Sequence, residues 1–422
     1  METLAITGGI VLTPRGLRKA DILVEGGTIQ QITRGARGET RVDASGCLVL
    51  PGFVNTHTHL GMTLLRGVAD ILPYREWLER VWELEKNLKP RDVYLAARLA
   101  CLEMIKSGTT QVADFYIHPR ETTKALREAG LRATLGYAIM EGGDMEAKIR
   151  ERQRFLRELK RDSRLSNNGR LKGAYAPHSP LTCEPETLWK IKELARKDRL
   201  PVHIHLQETR WEIEEIKKRH GKTPIQLLES LDFLDRDTLA VHCTHLTEGD
   251  ISILEKRCVG VSHNPTSNLK LQAGIAPIPR LLRGGVRVGL GTDSAVSNNT
   301  LNLQQEMRLT ALLHSLQPVQ ALKMATCWGA KLLGTNTGTL EPGKKADIIL
   351  VELEKPHLNP KLDMISNLVF ASQPSDVKTV LVEGEILMED RRVETLDEEE
   401  AMGAMINSIY DSLDLEEHDY SC

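Results

Sequence analysis

Aromatic residues make up only 4% of this 422-residue sequence, and none of its seven cysteines stands in a Cys-x-x-Cys pair. The odd set at positions 47, 101, 183, 243, 258, 327 and 422 argues against a disulfide framework and a thiolate zinc site; it fits reduced thiols in the cytoplasm. No apolar run approaches membrane-spanning length, and Glu2 stands where a secretory leader would carry basic residues. Cys422 is the final residue, so it forms no prenylation box. A strong excess of one charge is also missing: the net charge is -3. The basic stretch 148–172 and the acidic stretch 397–419 both read as solvated helix faces. Neither a nucleic-acid nor a membrane partner is expected.

What is present is a globular composition, 41% hydrophobic and 27% charged, in a chain long enough for one large unit and an accessory one. Short β-type runs with Gly-rich turns fill residues 1 to 50 and return at Ala346–Val351 and Val377–Gly384. The two ends are expected to pair into one small split β-sandwich, residues 1–52 with 340–395. Between them, eight apolar β-rich runs alternate with amphipathic helical stretches: Cys47–Val54, Thr109–Phe115, Leu131–Ile139, Leu171–Ala176, Leu200–Leu206, Leu239–Leu246, Val259–His263 and Val286–Thr292. That alternation predicts an α/β fold, a (β/α)8 TIM-like barrel over residues 53–339, with 396–422 left as a helical, acidic tail.

Barrel enzymes build their sites from the C-terminal strand ends, and polar groups recur there. His57 and His59 follow the first run, His178 the fourth, His205 and Glu208 the fifth; His242 lies in the sixth and Asp293 closes the eighth. A hydrolytic metal site needs a few nitrogen or oxygen ligands and one open position. His57, His59, His205 and Asp293 fit that need for one divalent ion, with zinc first and Fe2+ or Mn2+ as alternatives. His203 shares the strand-five face one layer deeper and reads as a packed or supporting histidine. Glu208, three residues past His205, is the candidate to carry a proton from water to substrate. His242 is the candidate to orient that water, with His245 as the alternative.

These residues resemble the amidohydrolase superfamily. Its binuclear members bridge two metals with a carboxylated lysine after strand four; Lys172 stands only at the start of the fourth run, so a mononuclear site is expected. More narrowly, the blocks Pro51-Gly-Phe-Val-Asn-Thr-His-Thr-His59, Met62-Thr-Leu-Leu-Arg-Gly-Val-Ala69, Pro177-His-Ser-Pro180, His205-Leu-Gln-Glu-Thr209, Val261-Ser-His-Asn-Pro265, Ser267-Asn-Leu-Lys-Leu271, Gly291-Thr-Asp293 and Ser297-Asn-Asn299 resemble the methylthioadenosine/S-adenosylhomocysteine deaminases, and within them the 5'-deoxyadenosine deaminases. The resemblance implies a homo-oligomeric, metal-dependent deaminase that adds water at C6 of an adenine nucleoside and releases ammonia, in salvage of S-adenosylmethionine-derived products. It implies a catalytic set of Glu208, His242 and Asp293. It also implies that Glu85, rather than Glu83, accepts from the ribose hydroxyls and that His178, Glu208 and Asp293 meet the substrate. A guanine deaminase or an aminotriazine or chlorotriazine hydrolase is the alternative, and a scaffold without catalysis is the reading from another class. Relatives place arginines after strand three to meet the homocysteine carboxylate. Here Gly136-Tyr137-Ala138 and 140–145 offer none, so small neutral 5' groups are expected.

Overall fold

Gly52 divides the first apolar run between two sheets. A Cβ on Gly52 would sit 2.2 Å from the Thr110 side chain, so the chain passes close to its neighbour only because this residue is glycine. On its N-terminal side Cys47–Pro51 joins an accessory sheet; on its C-terminal side Phe53–Thr58 enters the barrel. The expected single strand over Cys47–Val54 is therefore corrected to two. Both halves are fully buried, so no change of polarity marks the break.

The computed structural model describes residues 3–70 and 72–404. Eight parallel strands close into a barrel: β1 (Phe53–Thr58), β2 (Thr109–Tyr116), β3 (Arg132–Ile139), β4 (Leu171–Pro177), β5 (Val202–Leu206), β6 (Thr238–His242), β7 (Gly260–His263) and β8 (Val288–Leu290). Helices separate consecutive strands, which is the (β/α)8 order. The sixth and eighth strands are shorter than the runs Leu239–Leu246 and Val286–Thr292. His242 and Cys243 take φ of 72° and 49°, which ends the extended backbone at that point.

The accessory strands form two sheets, one of four strands and one of seven, and their facing side chains share a core that includes Ile6, Ile22, Val24, Val49, Ile348 and Leu350. The seven-stranded sheet mixes the two chain ends, because Cys47–Pro51 pairs antiparallel with Ile348–Glu352. Arg132, at the start of β3, fastens this unit to the barrel. Its guanidinium donates to both Asp347 oxygens at 2.9 and 3.1 Å and to Glu383 at 2.9 Å. Of the expected tail, residues 398–404 are helical, and 405–422 lie outside the described residues.

Two helices lie between β1 and β2, α1 (Tyr74–Glu85) and α2 (Pro90–Lys106), and α1 borders the pocket at the C-terminal mouth. Trp77, Val81 and Leu84 of α1 are buried in a cluster of their own with Met62, Leu65, Leu88 and Val93. Each such side chain contributes roughly 1.5–3 kcal/mol of burial, so α1 is a packed roof rather than a loose flap.

Candidate metal centre and active site

The barrel rim turns its side chains inward by leaving regular strand geometry. Gln207, His242 and Asp293 have φ of 49°, 72° and 61°, a region that non-glycine residues enter at a cost and that recurs at functional sites. The backbone N–H of Asp293 donates to the His57 carbonyl at 3.0 Å, and the Thr58 hydroxyl donates to the Asp293 carbonyl at 3.1 Å. The chain after β8 is thus tied to the end of β1.

That tie brings the ligand-bearing groups together. His57 Nε2 and His59 Nε2 lie 3.3 and 3.1 Å from the same oxygen, Asp293 Oδ1. The His205 ring is 4.9 Å from that of His57 and stacks 5.5 Å from that of His59. Ligand atoms of His57, His59 and His205 fall within 4.8 Å of one another, as do those of His57, His242 and Asp293.

The outer ring nitrogens explain the orientation. His205 Nδ1 meets the His178 carbonyl at 2.9 Å, and His59 Nδ1 meets the Phe115 carbonyl. Both rings donate from Nδ1 there, which leaves the Nε2 lone pairs directed inward, the arrangement metal-binding imidazoles use. His57 Nδ1 pairs with His203 Nε2 at 3.0 Å. His57 Nε2 is buried and forms no directional hydrogen bond, although Asp293 lies near. An inward-facing orphan nitrogen among three imidazoles and a carboxylate fits a divalent cation, so His57, His59, His205 and Asp293 could hold one.

Burial alone would raise the Asp293 carboxyl, but the adjoining imidazoles of His57 and His59 outweigh it and hold the group well below its ordinary value. Burial pushes His57 down to about 3, so its ring is a neutral donor. Ser267 and Ser297 hydroxyls donate to the other Asp293 oxygen at 2.5 and 2.8 Å, which leaves Oδ1 to face the imidazoles.

Beside this cluster stands Glu208, with Oε1 3.7 Å from His242 Nε2 and Oε2 accepting from the Tyr74 hydroxyl at 2.8 Å. Burial raises the Glu208 carboxyl above its ordinary value, opposed by His242 and by the Tyr74 hydrogen bond. His242 Nδ1 pairs with Asn268 Oδ1 at 2.8 Å, which turns Nε2 toward the pocket. The pocket is bordered by His59, His178, His205, Glu208, His242 and Asp293, with Glu85, Trp82, Leu78, Val81 and Trp77 of α1 above. Burial raises the Glu85 carboxyl as well.

The structure therefore brings together His57, His59, Glu85, His178, His205, Glu208, His242 and Asp293. Glu83, by contrast, is exposed and paired with Arg80 at 3.1 Å. His245 Nε2 donates to the Ala273 carbonyl at 2.6 Å and does not border the pocket. Lys172 is exposed on the second residue of β4, away from the strand's C-terminal end. Tyr74, Asn268, Ser267 and Ser297 were not singled out by the sequence for any role. The last three stand inside quoted blocks, whereas Tyr74 had no signal beyond one aromatic on a charged helix.

The amidohydrolase family model matches residues 48–387. A Methanosarcina acetivorans protein named 5'-deoxyadenosine deaminase is 46% identical over 420 residues, covering 95% of this chain and 96% of its own. A Pelotomaculum thermopropionicum protein named 5-methylthioadenosine/S-adenosylhomocysteine deaminase is 43% identical, covering 95% and 97%. Among solved structures, an adenosine deaminase from Xanthomonas campestris with bound zinc superposes with a TM-score of 0.91 at 29% identity, over 97% of each chain. With the family model covering residues 48–387, and so the whole barrel, the chain belongs to the amidohydrolase family.

Proposed function

We propose that this chain hydrolytically deaminates adenine nucleosides with a modified 5' position, giving the inosine analogue and ammonia. 5'-Deoxyadenosine and 5'-methylthioadenosine come first, with S-adenosylhomocysteine and adenosine after them. One observation carries the reading: a largely buried carboxylate, Glu208, faces His242 beside an imidazole–carboxylate cluster and beneath an apolar roof. It is supported by the names of relatives that match 95% of the chain.

His57, His59, His205 and Asp293 would hold one divalent ion, zinc ahead of Fe2+ or Mn2+. Such an ion supplies Lewis acidity and brings the acidity of water near neutrality. The remaining steps belong to the chain's own groups. Glu208 takes a proton from the water that attacks C6 and delivers it to N1, which leaves a tetrahedral carbon bearing hydroxyl and amino groups. The hydroxyl proton then passes by way of Glu208 to the amino group, the C6–N bond breaks, ammonia departs and C6=O forms. A carboxyl raised by burial suits this exchange, since it holds a proton more readily than an exposed carboxylate and can still give it up. His242, with its outer nitrogen held by Asn268, aligns the attacking water.

Glu85 accepts from the ribose hydroxyls and His178 contacts the nucleoside. At the 5' end no arginine lines the pocket among the described residues. Arg152, on the helix after β3, stacks 3.9 Å over Tyr137 and donates to the Ala138 carbonyl at 3.0 Å and to Glu151 at 2.9 Å. Its guanidinium is occupied, so a homocysteine carboxylate would find no partner there. A cytoplasmic homo-oligomer, divided at residues 52/53 and 339/340, belongs to the same reading.

Ammonia release from 5'-deoxyadenosine, guanine and an aminotriazine, assayed side by side, tests it. Turnover of the adenine nucleoside alone is expected. Turnover of guanine or the triazine in its place would overturn it.

A further inference from the structure

We infer that Tyr74 is a positioning residue for the proton carrier: its hydroxyl fixes one oxygen of Glu208 so that the other, beside His242, handles the proton. This rests on the proposed deamination. The Glu208 main chain is held from several sides, its N–H by Glu212 Oε2 at 2.9 Å and its carbonyl by the Thr244 hydroxyl at 2.6 Å. Its carboxylate is not. Among the described residues the Tyr74 hydroxyl is the single group that hydrogen-bonds it, at 2.8 Å to Oε2, while Oε1 lies 3.7 Å from His242 Nε2.

A glutamate has freely rotating terminal torsions, and one strong O–H···O⁻ bond is enough to select among them. With Oε2 committed to Tyr74, Oε1 is left as the oxygen with lone pairs free toward the pocket. The hydroxyl itself is well placed to do this. Tyr74 is the first residue of α1, and its ring lies 6.0 Å from Trp77 on the same helix and 6.5 Å from Trp211 on the helix Arg210–His220 that follows Glu208. Trp77, Val81 and Leu84 lock α1 into its own buried cluster. The helix that presents Glu85 to the pocket at one end therefore holds Glu208 at the other, and substrate recognition and proton transfer share one rigid support.

The plain alternative is that Tyr74 is a packed aromatic whose hydroxyl merely found an acceptor. Tyr74→Phe keeps the ring and removes only the hydroxyl, and the metal-loaded full chain is assayed on 5'-deoxyadenosine. The expected result is a kcat lower by roughly 10- to 100-fold, as for loss of a charge-assisted hydrogen bond, with KM within about twofold and a cooperative melt retained. In a Glu208→Gln background the same change should cost less than about threefold, because the group it positions is gone. An unchanged kcat, a loss confined to KM, or an equal loss in both backgrounds overturns the inference. A wild-type chain inert toward adenine nucleosides overturns the proposed reaction itself, and that control tells the two failures apart.

Discussion

Replacing His203 and His205 one at a time separates a ligand from its support, although the two histidines are neighbours on one strand face. His205 Nε2 faces the cluster, whereas His203 lies deeper and spends its own Nε2 on His57 Nδ1 at 3.0 Å. His203→Asn shortens the side chain, so its amide cannot span to His57, and the inward-facing His57 Nε2 loses its fixed orientation. Loss of such an outer partner lowers metal affinity by about 10- to 100-fold, or about 1.4–2.8 kcal/mol. His205→Asn removes a donor outright and costs more. Each variant, loaded with one equivalent of zinc, is titrated against a competing chromophoric chelator. The expectation is a complete site of reduced affinity in His203→Asn and less than a tenth of an equivalent retained in His205→Asn. Wild-type affinity in His205→Asn with loss in His203→Asn would refute the assignment of the ligand.

Glu208→Gln should keep its metal and lose roughly 10²–10⁴-fold in kcat; equal turnover would move the proton to another group. With no arginine lining the pocket among the described residues, kcat/KM for 5'-deoxyadenosine and methylthioadenosine should exceed that for S-adenosylhomocysteine by roughly tenfold or more, and the reverse order would contradict the roles given to Tyr137 and Arg152. Burial pushes Glu306 up to about 7 from 4.5, against hydrogen bonds from Thr266 and Asn298. Between those values the native state holds a proton that the unfolded chain has released, so this contribution, up to about 3 kcal/mol, is lost as pH rises from about 4.5 through 7. Thermal midpoints across that range should fall less steeply in Glu306→Gln than in the wild type, and parallel curves would contradict the sign.

Barrel order and the rim residues were legible because each depends on a local signal: an apolar run, then a polar group at its end. The strand limits were less so. Cys47–Val54 changes sheet at Gly52 without any change in burial, and the sixth and eighth runs continue apolar or small past His242 and Leu290, where left-handed backbone, at Asp293 as at His242, has replaced the strand. Pairings across the barrel carry no sequence spacing at all. Asn268 under His242 and Ser267 against Asp293 are 26 residues from their partners, and Tyr74 is 134 from Glu208. Only closure of the barrel and seating of α1 bring these groups together.

Ammonia release from 5'-deoxyadenosine by chelator-stripped protein, measured before and after one equivalent of zinc, tests the metal-assisted hydrolysis most directly. The imidazole–carboxylate cluster predicts no turnover in the stripped chain and recovery on adding zinc. Full activity in the metal-free protein would contradict it.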